Sequence, residues 1–104
     1  MPKMNLIIEH KLTQEEAVSR IKNGIEAIKK EFAADIEKLE TLWNENHCDF
    51  ALSVSGFSSR GTMDIKQGEI AISGDLPFML SLFKDKIESA IKDRVKKMLE
   101  QEQE

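Results

Sequence analysis

The sequence predicts a two-layer α+β fold with the element order β-α-β-β-β(-β)-α, in which two long helices lie on one face of an antiparallel sheet. Three observations carry this prediction. Two segments, one towards each end of the chain, have apolar residues at helical spacing. The region between them alternates apolar and polar residues, which is typical of strands with one buried face. The connections between these strands are too short for crossovers, so neighbouring strands must be antiparallel.

The first two elements are a strand and a helix. The alternation of residues 4–10 predicts a strand with four side chains on one face: Met4, Leu6, Ile8 and His10. Thr13 and Glu16 then match a capping box, which marks the start of a helix. We expect this helix to run for about five turns and to be weakened at Gly24 by about 1 kcal/mol relative to alanine. Its apolar stripe consists of Val18, Ile21, Ile25, Ile28 and Phe32.

Three or four strands follow the first helix. Residues 44–47 and the pair Gln67-Gly68 predict tight turns, and the polar segment 56–61 is interpreted as a loop with glycine at both ends. The apolar positions of the strands are Leu39, Thr41 and Trp43, then Phe50, Leu52 and Val54, then Met63 and Ile65, and finally Ile70 and Ile72. The opposite face is polar with small side chains, and we expect it to meet water or a second copy of the chain.

The last element is a second long helix. Pro77 suits its first turn because proline lacks the N–H that is unpaired there. Helical spacing then predicts a second core stripe, formed by Leu80, Phe83, Ile87, Ile91, Val95 and Met98. Basic residues between positions 84 and 97 alternate with acidic ones, which indicates a solvated helix face.

Composition narrows the class of protein. The 104 residues suffice for one domain, which we assign to residues 1–99, with a frayed polar tail at 100–104. Fifteen basic residues against nineteen acidic ones give a net charge of -4, so nucleic-acid binding is not expected. No apolar run approaches the roughly 18 residues of a membrane span, and the N-terminus lacks a secretory signal. We therefore expect a cytoplasmic protein with no membrane span.

Three residues invite a catalytic or metal-binding interpretation: His10, His47 and Cys48. His47 and Cys48 are adjacent, so in a strand they point to opposite faces and make a poor joint ligand set. No motif supplies the third group that would orient a Cys–His pair. His10 is in phase with the buried face of the first strand, where a structural hydrogen bond is expected and contact with a ligand is the alternative. The sequence therefore predicts no enzyme activity, no cofactor and no metal site.

The segment 76–83 is apolar at every position except Ser81. Phe78 and Leu82 belong to a different helical stripe from Leu80 and Phe83, and one face of a two-layer domain cannot easily bury both stripes. One alternative is that this helix start is wedged under the other helix. The other is that Phe78 and Leu82 form an exposed contact for a partner or an apolar surface.

The chain resembles the small bacterial polyhydroxyalkanoic acid system proteins, also called the polyhydroxyalkanoate granule region family. The resemblance spans nearly the whole length and rests on short motifs at matching spacing. The motifs are His10-Lys11-Leu12, Glu16-Ala17, Phe50, Gly56-Phe57-Ser58, Gly61-Thr62, Ile65, Leu76-Pro77-Phe78, Phe83-Lys84-x-Lys86-Ile87-Glu88 and Ile91.

The resemblance implies a non-catalytic accessory protein of polyhydroxyalkanoate storage. Its expected partner is the granule, an apolar polyester surface that Phe78 and Leu82 could touch, or a granule protein, and a homodimer is also open. Two other classes stay open. A ribosome-associated, hibernation-like module has a similar element order. A binder of small apolar ligands would need a cavity between the helices and the sheet.

Overall fold

The computed structural model describes residues 3–100. Five strands form one antiparallel sheet, and two helices pack on one of its faces, which confirms the predicted α+β fold class. The elements in chain order are β1 (Lys3–Glu9), α1 (Gln14–Glu31), β2 (Ile36–Asn44), β3 (His47–Val54), β4 (Phe57–Ile65), β5 (Glu69–Asp75), a 3₁₀ helix (Phe78–Phe83) and α2 (Lys84–Glu100).

The sheet has the strand order β1-β5-β4-β3-β2, so the first strand pairs with the last. Strands β2 to β5 form a meander, as their short connections require. The pairing of Ile8 with Ile70 and of Cys48 with Met63 places these side chains on the face that the helices cover. The opposite face is open and carries Asp49, Ala51, Ser53, Thr62, Asp64, Ala71 and Ser73, as the alternation predicts.

Helix α1 begins at the predicted cap, and its Arg20 side chain connects it to the end of α2. The Thr13 hydroxyl accepts a hydrogen bond from the Glu16 N–H at 3.2 Å. The Glu16 carboxylate accepts from Arg20 at 3.0 Å. Arg20 also donates to the carbonyl of Leu99 in the last turn of α2, where a cation meets the negative end of the helix dipole.

The dense part of the core lies under α1 and the C-terminal half of α2. Its buried members are Ile8, Ala17, Ile21, Cys48, Met63, Ile65, Ile70, Ile72, Val95, Met98 and Leu99. The two helices meet at Gly24, where a Cβ atom would lie 2.5 Å from the sulfur of Met98 and 3.0 Å from its Cβ. Gly24 therefore does more than weaken α1: it provides the space into which Met98 packs.

The predicted loop at 56–61 is wrong, because residues 57–61 belong to β4 and only Gly56 lies in a turn. The turn consists of Ser55 and Gly56 alone, both with positive φ (50° and 81°), which matches the two-residue turns that suit hairpins. Ser59 and Gly61 occupy core-face positions of β4, so the sequence shows no apolar alternation there. Gly61 lies against the Phe50 ring, which a Cβ atom would approach to 2.5 Å.

The start of the second helix also differs from the prediction. Pro77 precedes a 3₁₀ helix, and the α-helical repeat begins only at Lys84. A 3₁₀ helix has three residues per turn, so its side chains fall on other faces than an α-helical repeat predicts. Phe83, assigned to the core stripe, is consequently exposed. Glu100, the first residue of the predicted tail, is helical, and positions 101–104 lie outside the described residues.

Candidate functional site

The 3₁₀ helix presents four large apolar side chains to solvent. The exposed fractions are 78% for Phe78, 74% for Met79, 89% for Leu82 and 51% for Phe83. We call these four residues the apolar patch. Phe78 and Leu82 are therefore not wedged under the other helix, and their role as a contact for a partner stays a prediction. Met79 and Phe83 were missed: Met79 lies in the same apolar run, and Phe83 was assigned to the core.

Local hydrogen bonds and one buried side chain hold the patch in place. The Leu80 N–H donates to the Pro77 carbonyl at 2.8 Å, and the Ser81 hydroxyl donates to the Phe78 carbonyl at 2.6 Å. Leu76, directly before the segment, is almost fully buried. The patch is therefore fixed at its base while its side chains remain in water.

A cavity of about 570 Å³ lies between the sheet and the two helices, where it borders core residues that include Cys48, Met63 and Met98. Nearly all of its lining is apolar. Strands β2 and β3 contribute Leu39, Leu52 and Val54, whose side chains are only partly buried. Pro77 and Leu80 also line the cavity, so the apolar patch adjoins it.

Arg94 lies at the edge of the cavity, where its side chain is partly exposed to solvent. It lines the cavity from α2, and its guanidinium lies 5.5 Å from the centre of the Phe32 ring at the end of α1. A nitrogen of Arg94 is 3.6 Å from a carboxylate oxygen of Glu31, and both side chains are about half exposed. A separation of 3.6 Å is longer than an ordinary hydrogen bond, so this pair is weak. Sequence reasoning missed Arg94 by assigning it to the solvated helix face.

His10 connects the end of β1 to the turn between β4 and β5. Its Nδ1 accepts from the Leu12 N–H at 3.0 Å, and its Nε2 lies 2.8 Å from the Lys66 carbonyl. Because a carbonyl only accepts, Nε2 carries the proton and donates. Both ring nitrogens of His10 are thus occupied by backbone groups, which leaves neither for a ligand.

His47 and Cys48 lie on opposite faces of β3, as adjacent strand residues must. Cys48 is fully buried in the core, and this burial raises the pKa of its thiol. His47 lies on the open face between two carboxylates, with Nδ1 2.6 Å from Asp64 and Nε2 3.2 Å from Asp49. Within residues 3–100, no group of three or more His, Cys, Asp or Glu side chains is arranged to hold a metal ion.

The hydrogen bond to Asp64, and next the one to Asp49, raise the pKa of His47 above its ordinary value of 6.5. A raised folded-state pKa contributes stability that is fully present below pH 6.5 and is lost as the pH rises through the folded-state value. We therefore expect an NMR titration of the ring protons to give a pKa above 6.5, and Asp64→Asn to lower it more than Asp49→Asn. Equal effects of the two variants would contradict this ranking.

Comparison with known proteins relates the chain to one family. A family model described as "Putative polyhydroxyalkanoic acid system protein" matches residues 4–99, which include every strand and both helices nearly to their ends. No curated protein matches the chain. In the part of the chain that the structure describes, no helix is long and apolar enough to cross a membrane.

Proposed function

The chain belongs to the polyhydroxyalkanoic acid system protein family, and from that membership we propose that it is a non-catalytic accessory protein of polyhydroxyalkanoate storage. In this proposal the apolar patch contacts the surface of the polyester granule. The observation that carries it is the exposure of Phe78 and Leu82, which are 78% and 89% exposed on one short helix.

The patch has the properties of a surface contact site. Exposed apolar side chains cost free energy in water, and a cluster of them usually marks the place where another apolar surface binds. Here four such side chains occur within six residues, and the charged helix α2 follows directly. An apolar polyester would remove these side chains from water without unfolding any element.

The proposal assigns no chemistry to the protein. Of the residues with reactive side chains, Cys48 is buried with a raised thiol pKa, and both nitrogens of His10 bond to the backbone. His47 is held between two carboxylates on the open face, away from the cavity. These contacts support an accessory role, because they occupy both histidines with partners other than Cys48.

The test is a double variant, Phe78→Ser with Leu82→Ser, in a sedimentation assay with amorphous polyhydroxyalkanoate particles. We expect at least a tenfold loss of binding, since each buried large apolar side chain contributes roughly 1.5–3 kcal/mol. Circular dichroism should show an unchanged fold, because both side chains are already exposed.

The matched control is Ile7→Ser with Leu42→Ser, which removes two exposed apolar side chains (59% and 71%) from the open sheet face. This control should bind particles as the wild type does. The proposal is wrong if both double variants lose binding equally, or if the wild type does not bind. Unfolding of the patch variant would show instead that Phe78 and Leu82 hold the fold together.

A further inference from the structure

The cavity beside Arg94 has the chemistry of a binding site for a small acid with an apolar tail. Its volume of about 570 Å³ lies within the range of small-molecule sites in proteins, and the cavity is partly open to solvent. It is bounded by aliphatic side chains from both layers, including Ile25, Ile28, Leu39 and Leu52, all of which stay partly exposed.

The apolar lining favours a ligand that is mostly aliphatic. A polar molecule would lose its hydrogen bonds to water and would find almost no hydrogen-bonding partners on the cavity walls. An aliphatic chain loses none, and it would bury side chains of β2, β3 and α1 that the fold itself leaves partly in water.

Arg94 favours a ligand whose other end carries a carboxylate. A guanidinium binds a carboxylate through two parallel hydrogen bonds, and these charge-assisted bonds are about twice as strong as neutral ones. The present partner of Arg94, Glu31, is 3.6 Å away and partly exposed, so a ligand can compete for the cation. The lining also includes one carboxylate, Asp75, whose pair with Lys3 at 3.8 Å is equally weak, so the ligand carboxylate is expected at Arg94 and away from Asp75.

We propose that this cavity binds an aliphatic monocarboxylic acid, with the chain between the sheet and the helices and the carboxylate at Arg94. Binding of a simple fatty acid follows from the cavity alone. The narrower statement, that the natural ligand is a hydroxyalkanoic acid, rests on the proposed function, because that acid is named in the family description.

The test is calorimetric titration of the full chain with octanoate, decanoate and 1-decanol below their micelle-forming concentrations. We expect saturable binding at one site that tightens about fourfold for each added methylene group. Arg94→Gln should weaken the binding of decanoate at least tenfold and leave the binding of 1-decanol unchanged. Glu31→Gln is the matched charge control, and it should leave decanoate binding unchanged or tighter because it frees the cation.

A second pair of variants tests the cavity itself. Ala90→Trp places a ring in the cavity from α2 and should abolish binding of both decanoate and 1-decanol. Ser89→Trp adds the same ring at the neighbouring exposed position, which does not line the cavity, and should have no effect. Thermal unfolding monitors the fold of both variants.

Three outcomes would overturn the inference. The first is that the wild type shows no saturable binding. The second is that Arg94→Gln leaves the affinity for decanoate unchanged. The third is that the chain forms a dimer that Ala90→Trp dissociates, since a second copy of the chain would then fill the cavity. If the wild type binds no decanoate but the double variant of Phe78 and Leu82 still loses particle binding, the inference fails and the proposed function stands. If the wild type binds decanoate at Arg94 but does not bind polyester particles, the proposed function fails and the inference about the cavity stands.

Discussion

Replacing Gly61 with valine is expected to destabilise the fold by about 3 kcal/mol, although valine favours strands. Gly61 lies inside β4 and faces Gly74 of β5. A Cβ atom at this position would lie 2.5 Å from the Phe50 ring and 2.9 Å from the Gly74 Cα atom, and it would also meet the Ser73 carbonyl oxygen. Two of these three neighbours are backbone atoms, which cannot rotate away. Urea denaturation measures the effect.

The control for Gly61 is its neighbour Thr62, which lies on the open face of the same strand. Thr62→Val has the same new side chain and should change the free energy of unfolding by less than about 0.5 kcal/mol. If the two variants are equally stable, the close contact at Gly61 does not exist and the register of β4 must be different.

Gly24→Val should cost about 2 kcal/mol, again against local propensity, since glycine is the poorest helix former after proline. The new side chain would enter the space that Met98 occupies, with Cβ 2.5 Å from its sulfur. Because Met98 is a side chain and can partly yield, the expected cost is smaller than at Gly61. Thermal or urea unfolding again gives the magnitude.

A double-variant cycle checks the cause at Gly24. Met98→Ala should be destabilising alone but should recover part of the loss when combined with Gly24→Val, because it empties the contested space. Asn23→Val, at an exposed position of the same helix, should have little effect. Strictly additive effects of Gly24→Val and Met98→Ala would show that the two helices do not cross here.

Periodicity predicted the helices, most strands and the open sheet face, because repeated burial on one side leaves a repeated pattern. It failed where the pattern is interrupted. Gly61 faces the core side of the sheet without a side chain, since the Phe50 ring and the neighbouring strand already fill that space. Ser59 lies on the same side, where it lines the cavity and donates to the Asp75 carbonyl. Both reasons become visible only when residues far apart in sequence are brought together.

The candidate site was predictable only in part. The sequence singled out Phe78 and Leu82, but their exposure depends on the change from three to 3.6 residues per turn at Lys84. The cavity depends on how far the helices stand from β2 and β3, which no local pattern records. The position of Arg94 at the cavity is fixed beside Phe32 and Glu31, which lie at the end of the other helix and far away in sequence.

The pairing of β1 with β5 has a consequence for the order of folding during synthesis on the ribosome. Strands β2 to β5 can pair as they emerge, because β3, β4 and β5 each neighbour the strand made just before them. Strand β1 must wait until its partner residues up to Asp75 have been made. Throughout that interval the Leu6-Ile7-Ile8 segment is an unpaired β-forming sequence, which is the stretch of the nascent chain that a chaperone would be expected to shield.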